Sequence, residues 1–326
     1  MFRSKRFWAG IVISIVALYL TLRNVDFGAF AAALQEAQSR WWLFVLAFAV
    51  FVAGLGFRAW RWAILMGGAP FALTFQAMCI GYMLNMTLPF RLGEIGRAWV
   101  MGQQARIGTP TALSSILVER LLDLVVVVLG FLFFARLAPT EAGISQAATV
   151  GGALATAVAL GIGMSVRYAD AGERVLRALL RRLPGINAAT WLRRYREFVA
   201  GLQCARTPVQ AALIALTTLA TWGFSLLLAL VMMTAFFEPR IEQAGLMLMA
   251  SNLGGAAPSA PGGLGPVQLF AKTALALPFG LDESRTTALV FVWSLSQQLA
   301  LIVFGLISMM RIGLSFEQLR THHNKH

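Results

Sequence analysis

Ionisable residues inside long apolar segments are the first feature of this sequence that could carry chemistry. Glu119, Arg120 and Asp123 lie eight to twelve residues into the apolar segment that starts at Thr111. At a helical rise of about 1.5 Å per residue, this places them about 12–18 Å from its start, near the middle of a bilayer. Glu119 and Asp123 share a helix face, and Arg120 reaches Asp123 three positions on. The two interpretations are a buried ion-pair network that locks helices together, or a proton or cation relay beside an arginine that binds an anion.

A second group of charged residues follows Pro89. Arg91, Glu94 and Arg97 are spaced three apart, so one face of a helix there alternates positive, negative and positive charge. Arg91 is nearest to the proline, and we expect it to contact a phosphate group while Glu94 orients its guanidinium. Arg97 is expected at the inner membrane interface.

The composition shows what kind of structure must position these charges. Hydrophobic residues make up 58% of the 326 residues and charged residues 13%, a balance typical of membrane proteins. Apolar windows of about 20 residues, the length that a bilayer-spanning helix needs, recur from Phe7 to Arg311. They leave no room for a soluble catalytic domain. The chain is therefore predicted to be an all-α polytopic membrane protein with a single membrane domain, residues 1–326.

The basic residues behind the formal net charge of +13 are distributed as in membrane proteins. Arginine and lysine concentrate in short segments between apolar runs, which is the bias that orients membrane helices and attracts anionic lipids. The largest basic segment, residues 167–208, is therefore predicted to be a cytoplasmic loop. An amphipathic helix within it either lies on an anionic membrane surface or is a solvated linker. Membrane lipids, and not nucleic acids, are the expected partners.

About six full transmembrane helices are predicted. They cover residues 7–22, 41–66, 111–137, 145–168, 209–237 and 286–310. The first is interpreted as a retained helix and not as a cleaved signal sequence, because no convincing small-residue cleavage site follows it. A short loop, 23–40, is expected after it. With the basic loop inside, both chain termini are placed in the cytoplasm, and the protein is expected in the inner, cytoplasmic membrane of the cell.

Two further apolar segments are broken in the middle. Residues 74–106 are interrupted at Pro89, and residues 241–277 by the proline- and glycine-rich stretch 256–263. Each half of the second segment is too short to cross a bilayer. A full crossing by 74–88 would place the basic residues after it outside, against the charge bias. Both segments are therefore interpreted as re-entrant hairpins, the first entering from the cytoplasm and the second from outside, with a full crossing by 74–88 as the alternative.

The two halves of the sequence repeat the same order of elements in opposite directions. Residues 41–137 and residues 209–311 each contain a full helix, a broken hairpin and another full helix. Asn85 and Asn252 each lie a few residues before the first proline of a break. Paired broken helices in inverted repeats point to a transporter's binding site at the membrane midplane.

The helix ends at these breaks favour an anionic ligand. A helix that begins inside the membrane presents free N–H groups and a partial positive charge. In the second break, the Gly262-Gly263-x-Gly265 run either allows a phosphate to approach the backbone closely or is a flexible turn. Lys272, one of three lysines in the chain, is either a counterpart cation in the second hairpin or a side chain that reaches to the interface.

Gln297, Arg58 and Arg61 are further polar residues in the apolar segments. Gln297, near the centre of the last span, is a further candidate for the site, with helix packing as the alternative. Arg58 and Arg61 are expected to anchor the end of their helix at the membrane interface.

Three motifs occur in a fixed order along the chain. They are Asn85-Met-Thr-Leu-Pro89-Phe-Arg91-Leu-Gly93-Glu94-Ile-Gly-Arg97, Glu119-Arg120-x-x-Asp123 and Pro258-x-x-Pro261-Gly262-Gly263-x-Gly265. Together they resemble the membrane region of lysylphosphatidylglycerol synthases and flippases, a family that also has stand-alone members of uncertain function. The resemblance spans nearly the whole chain. It implies lipid translocation without lipid aminoacylation, which belongs to a separate soluble domain that this chain lacks, and it leaves the cargo open because some stand-alone relatives are associated with hopanoid or polyprenyl-linked pathways.

The sequence therefore favours a non-enzymatic lipid flippase that moves an anionic, aminoacylated or isoprenoid-linked lipid between leaflets. Its phosphate-bearing head group would be received by Arg91, Arg120 and Lys272. The residues predicted to bind substrate are Asn85, Arg91, Glu94, Glu119, Arg120, Asp123, Asn252, Gly263, Lys272 and Gln297.

Two other functions are weighed against this one. A membrane-embedded transferase or phosphatase acting on a lipid phosphate is poorer in suitable residues, because all three histidines lie in the C-terminal tail and there is no Asp-rich metal motif. Asp26 is an acidic residue of the type that membrane glycosyltransferases use, but its loop is too small for a sugar site. A non-transporting assembly factor is the other alternative. No cofactor or metal is predicted, and the oligomeric state is open, a homodimer included.

Overall fold

The structure of the chain is a computed structural model that describes residues 5–88, 92–105, 108–139, 173–174, 176–178, 191–193, 196, 207–257 and 259–313. Within these residues the regular secondary structure is helical throughout. The long helices in chain order are α1 (Lys5–Leu22), α2 (Phe27–Ser39), α3 (Trp41–Leu65), α4 (Phe71–Thr87), α5 (Gly93–Gln104), α6 (Thr109–Arg136), α7 (Pro208–Thr234), α8 (Ile241–Ala256), α9 (Pro266–Phe279) and α10 (Glu283–Ile312). A turn of 3-10 helix, Pro261–Gly263, lies between α8 and α9. The predicted all-α architecture is thus confirmed.

Three helices in the described part of the chain, α3, α7 and α10, are long and apolar enough to cross a bilayer. α1 and α2 supply a fourth span if the two, bent by 85° to each other, are taken as one. α6 has 28 residues, which is also long enough, but it carries three charged residues in its interior. The chain is a multi-pass membrane protein. The predicted span 145–168 lies outside the described residues, so the total of six spans stays a prediction.

Residues 23–40 contain a helix, so the prediction of a plain loop was wrong. α2 is rich in alanine, which has the highest helix propensity of all residues. Asp26 caps its first turn, because Oδ1 accepts hydrogen bonds from the N–H groups of Gly28 and Ala29 at 2.7 and 3.2 Å. Ala33 and Ala37 are buried. Their small side chains let α2 pack on α10.

The two predicted hairpins are present as packed helix pairs. α4 packs on α5, and α8 packs on α9. These helices have 17, 12, 16 and 14 residues, which corresponds to about 18–26 Å each. Each is shorter than the hydrocarbon core of a bilayer, about 30 Å. Their re-entrant placement in the membrane stays a prediction.

Glycines hold α4 and α5 close together. A Cβ atom on Gly81 would lie 2.8 Å from the carbonyl oxygen of Gly93, and one on Gly93 would overlap the carbonyl oxygen of Gly81. A Cβ on Gly96 would lie 2.5 Å from Cδ1 of Leu84. Only residues without a side chain allow the two backbones to approach this closely. The contact also brings Arg97 against α4, because its Cβ would lie 2.9 Å from a Cβ on Gly81.

The helices after residue 40 pack in two matching sets. α3 packs on α4 and α5 packs on α6, and in the same order α7 packs on α8 and α9 packs on α10. Across the sets, α3 packs on α7, α4 packs on α10 and α6 packs on α8. Each of these packed pairs has its counterpart when the two sets are exchanged. The contacts therefore follow the order of elements that repeats in the sequence.

The breaks of the two hairpins lie against each other. The end of α4 packs on the 3-10 turn of the second break, where a Cβ on Gly262 would lie 3.3 Å from Sδ of Met86. Gln298 of α10 donates a hydrogen bond from Nε2 to the carbonyl oxygen of Gly262, at 3.2 Å. Gly262 has a φ of 74°, which glycine adopts without strain. The turn of the second hairpin is thus fixed beside the end of α4.

Candidate functional site

Glu119 lies at the centre of a buried ionic network. Its side chain is fully buried and its carboxylate contacts three guanidinium groups. Oε1 lies 3.2 Å from Nη2 of Arg61 and 3.2 Å from Nη2 of Arg120, and Oε2 lies 3.0 Å from Nη1 of Arg97. A buried carboxylate needs such partners, because taking an ion out of water costs several kcal/mol. The structure thus contains the ion-pair network of the first sequence interpretation, with partners from α3 and α5.

Asp123 extends the network by one helical turn of α6. Its Oδ1 accepts hydrogen bonds from Nη1 of Arg61 at 2.8 Å and from Nε1 of Trp222 at 3.2 Å. Nη1 of Arg120 lies 3.8 Å from its Oδ2. Because Glu119 and Asp123 lie four residues apart on one face, the two arms of the Arg61 guanidinium reach both carboxylates. The network therefore ties α3, α6 and α7 together.

One edge of the network is accessible. Arg120 and Glu94 form an ion pair of 3.5 Å between Nε and Oε1, and their side chains are 32% and 30% exposed. The side chains of Arg61 and Glu119 are not exposed at all. Glu94 lies one residue after Gly93, the first residue of α5 after the break. The accessible pair is therefore located at the first break, while Arg61, Glu119 and Asp123 are buried.

Aromatic residues frame the arginines. The Arg97 guanidinium carbon lies 4.7 Å from the ring centroid of Trp62 and 6.0 Å from that of Tyr82, distances at which a cation–π contact forms. Arg58 donates a hydrogen bond from Nη1 to the Tyr82 hydroxyl at 3.2 Å. Trp62 donates from Nε1 to Oγ of Ser115 at 2.9 Å. These contacts hold the guanidinium groups in fixed orientations.

The described network carries more positive than negative charge. Four arginines (58, 61, 97 and 120) belong to it or border it, against three carboxylates (94, 119 and 123). The excess corresponds to one positive charge when all of them are ionised. Buried charges are retained only when they are paired or have a use. A single anionic group placed at the accessible edge would complete the balance.

The structure corrects two positions expected from the sequence. Arg61 was expected to anchor its helix at the membrane interface, but it is 0% exposed and binds both Glu119 and Asp123. Arg97 was also expected at the inner interface, but it is 1% exposed and pairs with Glu119. Both predictions were wrong because the carboxylates of α6 attract the guanidinium groups more strongly than the interface does. Arg58 is only half-buried, and its contact is Tyr82.

The first break is organised by Asn85. Its Oδ1 accepts a hydrogen bond from the N–H of Gly93 at 2.9 Å, so the side chain occupies one of the free N–H groups at the start of α5. Asn85 therefore has a structural contact in the place where the sequence predicts a binding residue. Arg91, the predicted phosphate contact, lies outside the described residues.

Backbone N–H groups in the second break already have hydrogen-bond partners within the protein. Gly263, with a φ of 69°, donates its N–H to the carbonyl oxygen of Ala260 at 3.0 Å. The N–H of Gly265 donates to Oε1 of Gln268 at 2.8 Å, and Nε2 of Gln268 donates to Oγ of Ser294 at 2.9 Å. These two N–H groups of the glycine run are already used. The predicted phosphate contact at Gly263 has no support from this geometry and stays a prediction.

The remaining predicted site residues lie apart from the network in their contacts. Lys272 is 5% exposed and pairs with Glu283, and its Nζ also donates to the carbonyl oxygen of Thr21, each at 2.8 Å. Asn252 donates from Nδ2 to the carbonyl oxygen four residues earlier in α8, and Gln297 does the same in α10, at 2.8 and 3.0 Å. Of the described candidates, the structure brings together Glu94, Glu119, Arg120 and Asp123.

Asp26, weighed as an acidic residue of a transferase, has a structural contact instead. We expect Asp26→Ala to destabilise α2 by about 1 kcal/mol, because the cap is lost. Asp26→Asn is expected to keep the stability, since asparagine caps equally well. Apparent melting temperatures of the purified variants in detergent test this. Equal stability of Asp26→Ala and the native chain would contradict the capping role.

Part of the basic loop is described and is helical. Hydrogen bonds from Arg196 and Arg177 to the Glu173 carboxylate, 2.6 and 2.7 Å long, lower the pKa of Glu173 to about 2. These two ion pairs join residues 173, 177 and 196. The rest of the predicted amphipathic helix lies outside the described residues. Among the residues that are described, no group of three His, Cys, Asp or Glu side chains is arranged to hold a metal ion.

The family model of the lysylphosphatidylglycerol synthase transmembrane region matches residues 7–305. The chain belongs to this family. The resemblance that the three sequence motifs indicated is thereby confirmed. The first two of these motifs contain five residues of the charged network: Glu94, Arg97, Glu119, Arg120 and Asp123. Searches of curated proteins and of solved structures found no match. Family membership links the chain to membrane lipids.

Proposed function

We propose that this chain is a lipid flippase, which moves an anionic, aminoacylated or isoprenoid-linked lipid between the two leaflets and carries out no chemical reaction on it. The observation that carries the proposal is the accessible Glu94–Arg120 pair, which lies at a helix break and at the edge of a sealed network with an excess of positive charge. Charged side chains are costly in an apolar region, and a charged pair that stays accessible there favours binding of a charged ligand.

The network is suited to receive a phosphate in place of Glu94. Arg120 contacts Glu119 at 3.2 Å and Glu94 at 3.5 Å, so the longer and more exposed contact is the one to be displaced. A phosphate oxygen would form shorter, charge-assisted bonds with the guanidinium. Glu119 and Asp123 would hold Arg120 in place during the exchange. Because binding exchanges one anion for another, the head group can also leave again.

The arrangement of the hairpins supports a path across the membrane. The two breaks lie side by side at the end of α4, and the two helix sets pack in matching pairs. In an inverted repeat, such breaks form a midplane site that is reached from either side. The lipid tail would stay in the bilayer while the head group passes the network. We place the protein in the inner membrane with both termini in the cytoplasm, and a homodimer is compatible with this mechanism.

The first test of the function is transport by the purified protein in liposomes. We expect the native chain to speed the movement of a fluorescent anionic phospholipid or polyprenyl phosphate between leaflets, and Arg120→Gln to slow it about tenfold to a hundredfold, the value of one charge-assisted bond. The measurement is quenching of the label by a reductant added outside. Arg136→Gln is the matched control, because Arg136 is an exposed arginine at the end of the same helix.

Two results would overturn the proposal. If Arg120→Gln moves lipid as fast as the native chain, the network is not the head-group site. If the purified protein consumes a lipid phosphate and releases a modified product, it is an enzyme and not a flippase. An intact fold of the variant, shown by an unchanged elution profile and melting temperature, is required for either result.

A further inference from the structure

A second group of polar contacts lies where α3 begins and α7 ends, away from the network. Arg285, near the start of α10, pairs with Glu36 of α2 at 2.8 Å. Its Nε donates a hydrogen bond to the carbonyl oxygen of Phe236, and its guanidinium lies 5.5 Å from the ring centroid of Phe237. Arg40 donates from Nη1 to the carbonyl oxygen of Thr234 at 2.7 Å. We call this group, residues 36, 40, 234, 236, 237 and 285, the α2 latch.

The turn between α1 and α2 is joined to the same place. The N–H of Asp26 donates to Oγ of Ser284 at 3.0 Å. Lys272 of α9 connects the carbonyl oxygen of Thr21, at the end of α1, with the carboxylate of Glu283. The start of α10 is therefore attached to α2 by residues 284 and 285 and to the second hairpin by residue 283. A movement of α2 would reach the second hairpin through these bonds.

The latch is far from the charged network along the helices. On α3, Arg61 follows Arg40 by 21 positions, which is about 30 Å of helix. On α7, Trp222 precedes Thr234 by 12 positions, which is about 18 Å. The network lies near the middle of α6 and α7, and the latch lies at one end of the helix bundle, where α3 begins and α7 ends.

The latch is built from contacts that can be broken at low cost. The side chains of Arg40, Glu36 and Arg285 are 42%, 44% and 34% exposed, and ion pairs with this exposure contribute little to stability. In the network, by contrast, the side chains of Arg61, Arg97 and Glu119 are at most 2% exposed. We infer that the α2 latch is a gate, which holds this end of the helix bundle closed and which opens when the Glu36–Arg285 pair separates. This inference rests on the proposed transport function, since only a transporter must open at that end.

The gate is tested by the accessibility of a buried residue next to Arg285. Thr286, next to Arg285, is 0% exposed, and among the described residues its hydroxyl has no hydrogen-bond partner, so Thr286→Cys places a reporter thiol without breaking a bond. The background carries alanine in place of Cys79 and Cys204. In detergent, a maleimide is expected to label the reporter about five times faster in Glu36→Gln than in the unchanged background. This factor corresponds to the loss of one partly exposed ion pair. Glu238→Gln is the matched control, an exposed acid next to Phe237, and is expected to leave the rate unchanged.

Labelling does not depend on transport, so the two proposals fail separately. If Glu36→Gln and Glu238→Gln label at the same rate, the latch is not a gate, whatever the transport assay shows. If only Glu36→Gln labels faster while the native chain moves no lipid, the opening at the latch is supported, but the flippase function and the role of this opening in transport are overturned.

A cross-link provides the converse test. In the same background, Glu36→Cys combined with Arg285→Cys is treated with a short bifunctional thiol reagent that a reductant cleaves. We expect lipid movement to fall at least tenfold when the two cysteines are linked and to return after reduction. Transport that continues at the same rate in the linked protein would overturn the gate.

Discussion

Replacing Glu119 with glutamine is expected to destabilise the folded protein by about 3–5 kcal/mol, the usual result of removing one partner from a buried ionic group. The variant keeps the shape of the side chain but loses the charge that Arg61, Arg97 and Arg120 share. Arg97, which is 1% exposed, would then lack its carboxylate contact. The apparent melting temperature in detergent should fall by about 10 °C, since each kcal/mol shifts it by a few degrees in a chain of this size.

Glu94→Gln is the control within the same network. It removes the same charge from a side chain that is 30% exposed and is paired with Arg120, which is 32% exposed. We expect a change of less than about 1 kcal/mol, because water replaces the lost contact. If both variants lose the same stability, Glu119 and Glu94 are equally exposed to water. That result would contradict the distinction between a buried interior and an accessible edge of the network.

Gly93→Ala is expected to be nearly as harmful, by about 3 kcal/mol. The new methyl group would overlap the carbonyl oxygen of Gly81 and lie 2.7 Å from Oδ1 of Asn85. Because the first of these is a backbone atom, α4 and α5 would have to separate, and overpacking of this kind costs about 1–3 kcal/mol or more. The separation would also move Glu94 and Arg97 away from α6. Melting temperature and lipid movement should therefore fall together.

Gly223→Ala is the matched control for that substitution. Gly223 lies inside α7, and a Cβ placed on it meets no atom within 4 Å. Alanine is a better helix former than glycine, so the variant should be stabilised by about 0.5–1 kcal/mol. If Gly93→Ala behaves in the same way, then α4 and α5 are not in the close contact described here.

The positions of the helices could be predicted from the sequence because the bilayer imposes a strong constraint on length and composition. The predicted span 41–66 and α3 (Trp41–Leu65) differ by one residue, and the break at Pro89 separates α4 from α5. α2 was missed because 13 residues of mixed character are too few for a membrane span. The Asp26 cap and the alanines do predict a helix here, but only a search for helices shorter than a membrane span would have found it.

The centre of the candidate site could be predicted, but its partners could not. Glu119 and Asp123 stand out because charges are rare in apolar segments. Arg61 and Arg97 lie near helix ends, where the interface ordinarily accounts for an arginine. Two buried carboxylates require cations, and this requirement was the signal that could have brought Arg61 and Arg97 to α6. Trp222 could not have been found, because an indole donor in an apolar helix has no distinguishing pattern.

Lys272 shows how far the rarity of a residue can be interpreted. Its rarity in the chain indicated a role at the binding site, but its contacts with Thr21 and Glu283 belong to the joint between α1, α9 and α10. A rare residue signals that its position is constrained, and packing can supply that constraint as well as a ligand can. Its role in binding the head group stays a prediction that the transport assay can address with Lys272→Gln.

The packing of α4 on α10 has a consequence for how the protein is made. All seven charged residues of the network and its border precede residue 124, so their side chains are available to one another as soon as α6 has been synthesised. α4, however, finds its partner helix only about 200 residues later, and at roughly 5–20 residues per second this means a delay of ten seconds or more. During biogenesis, one face of the first hairpin must therefore wait beside the insertion machinery or in lipid. The ionic network, which can form before α10 is made, would hold α3, α5 and α6 together during this delay.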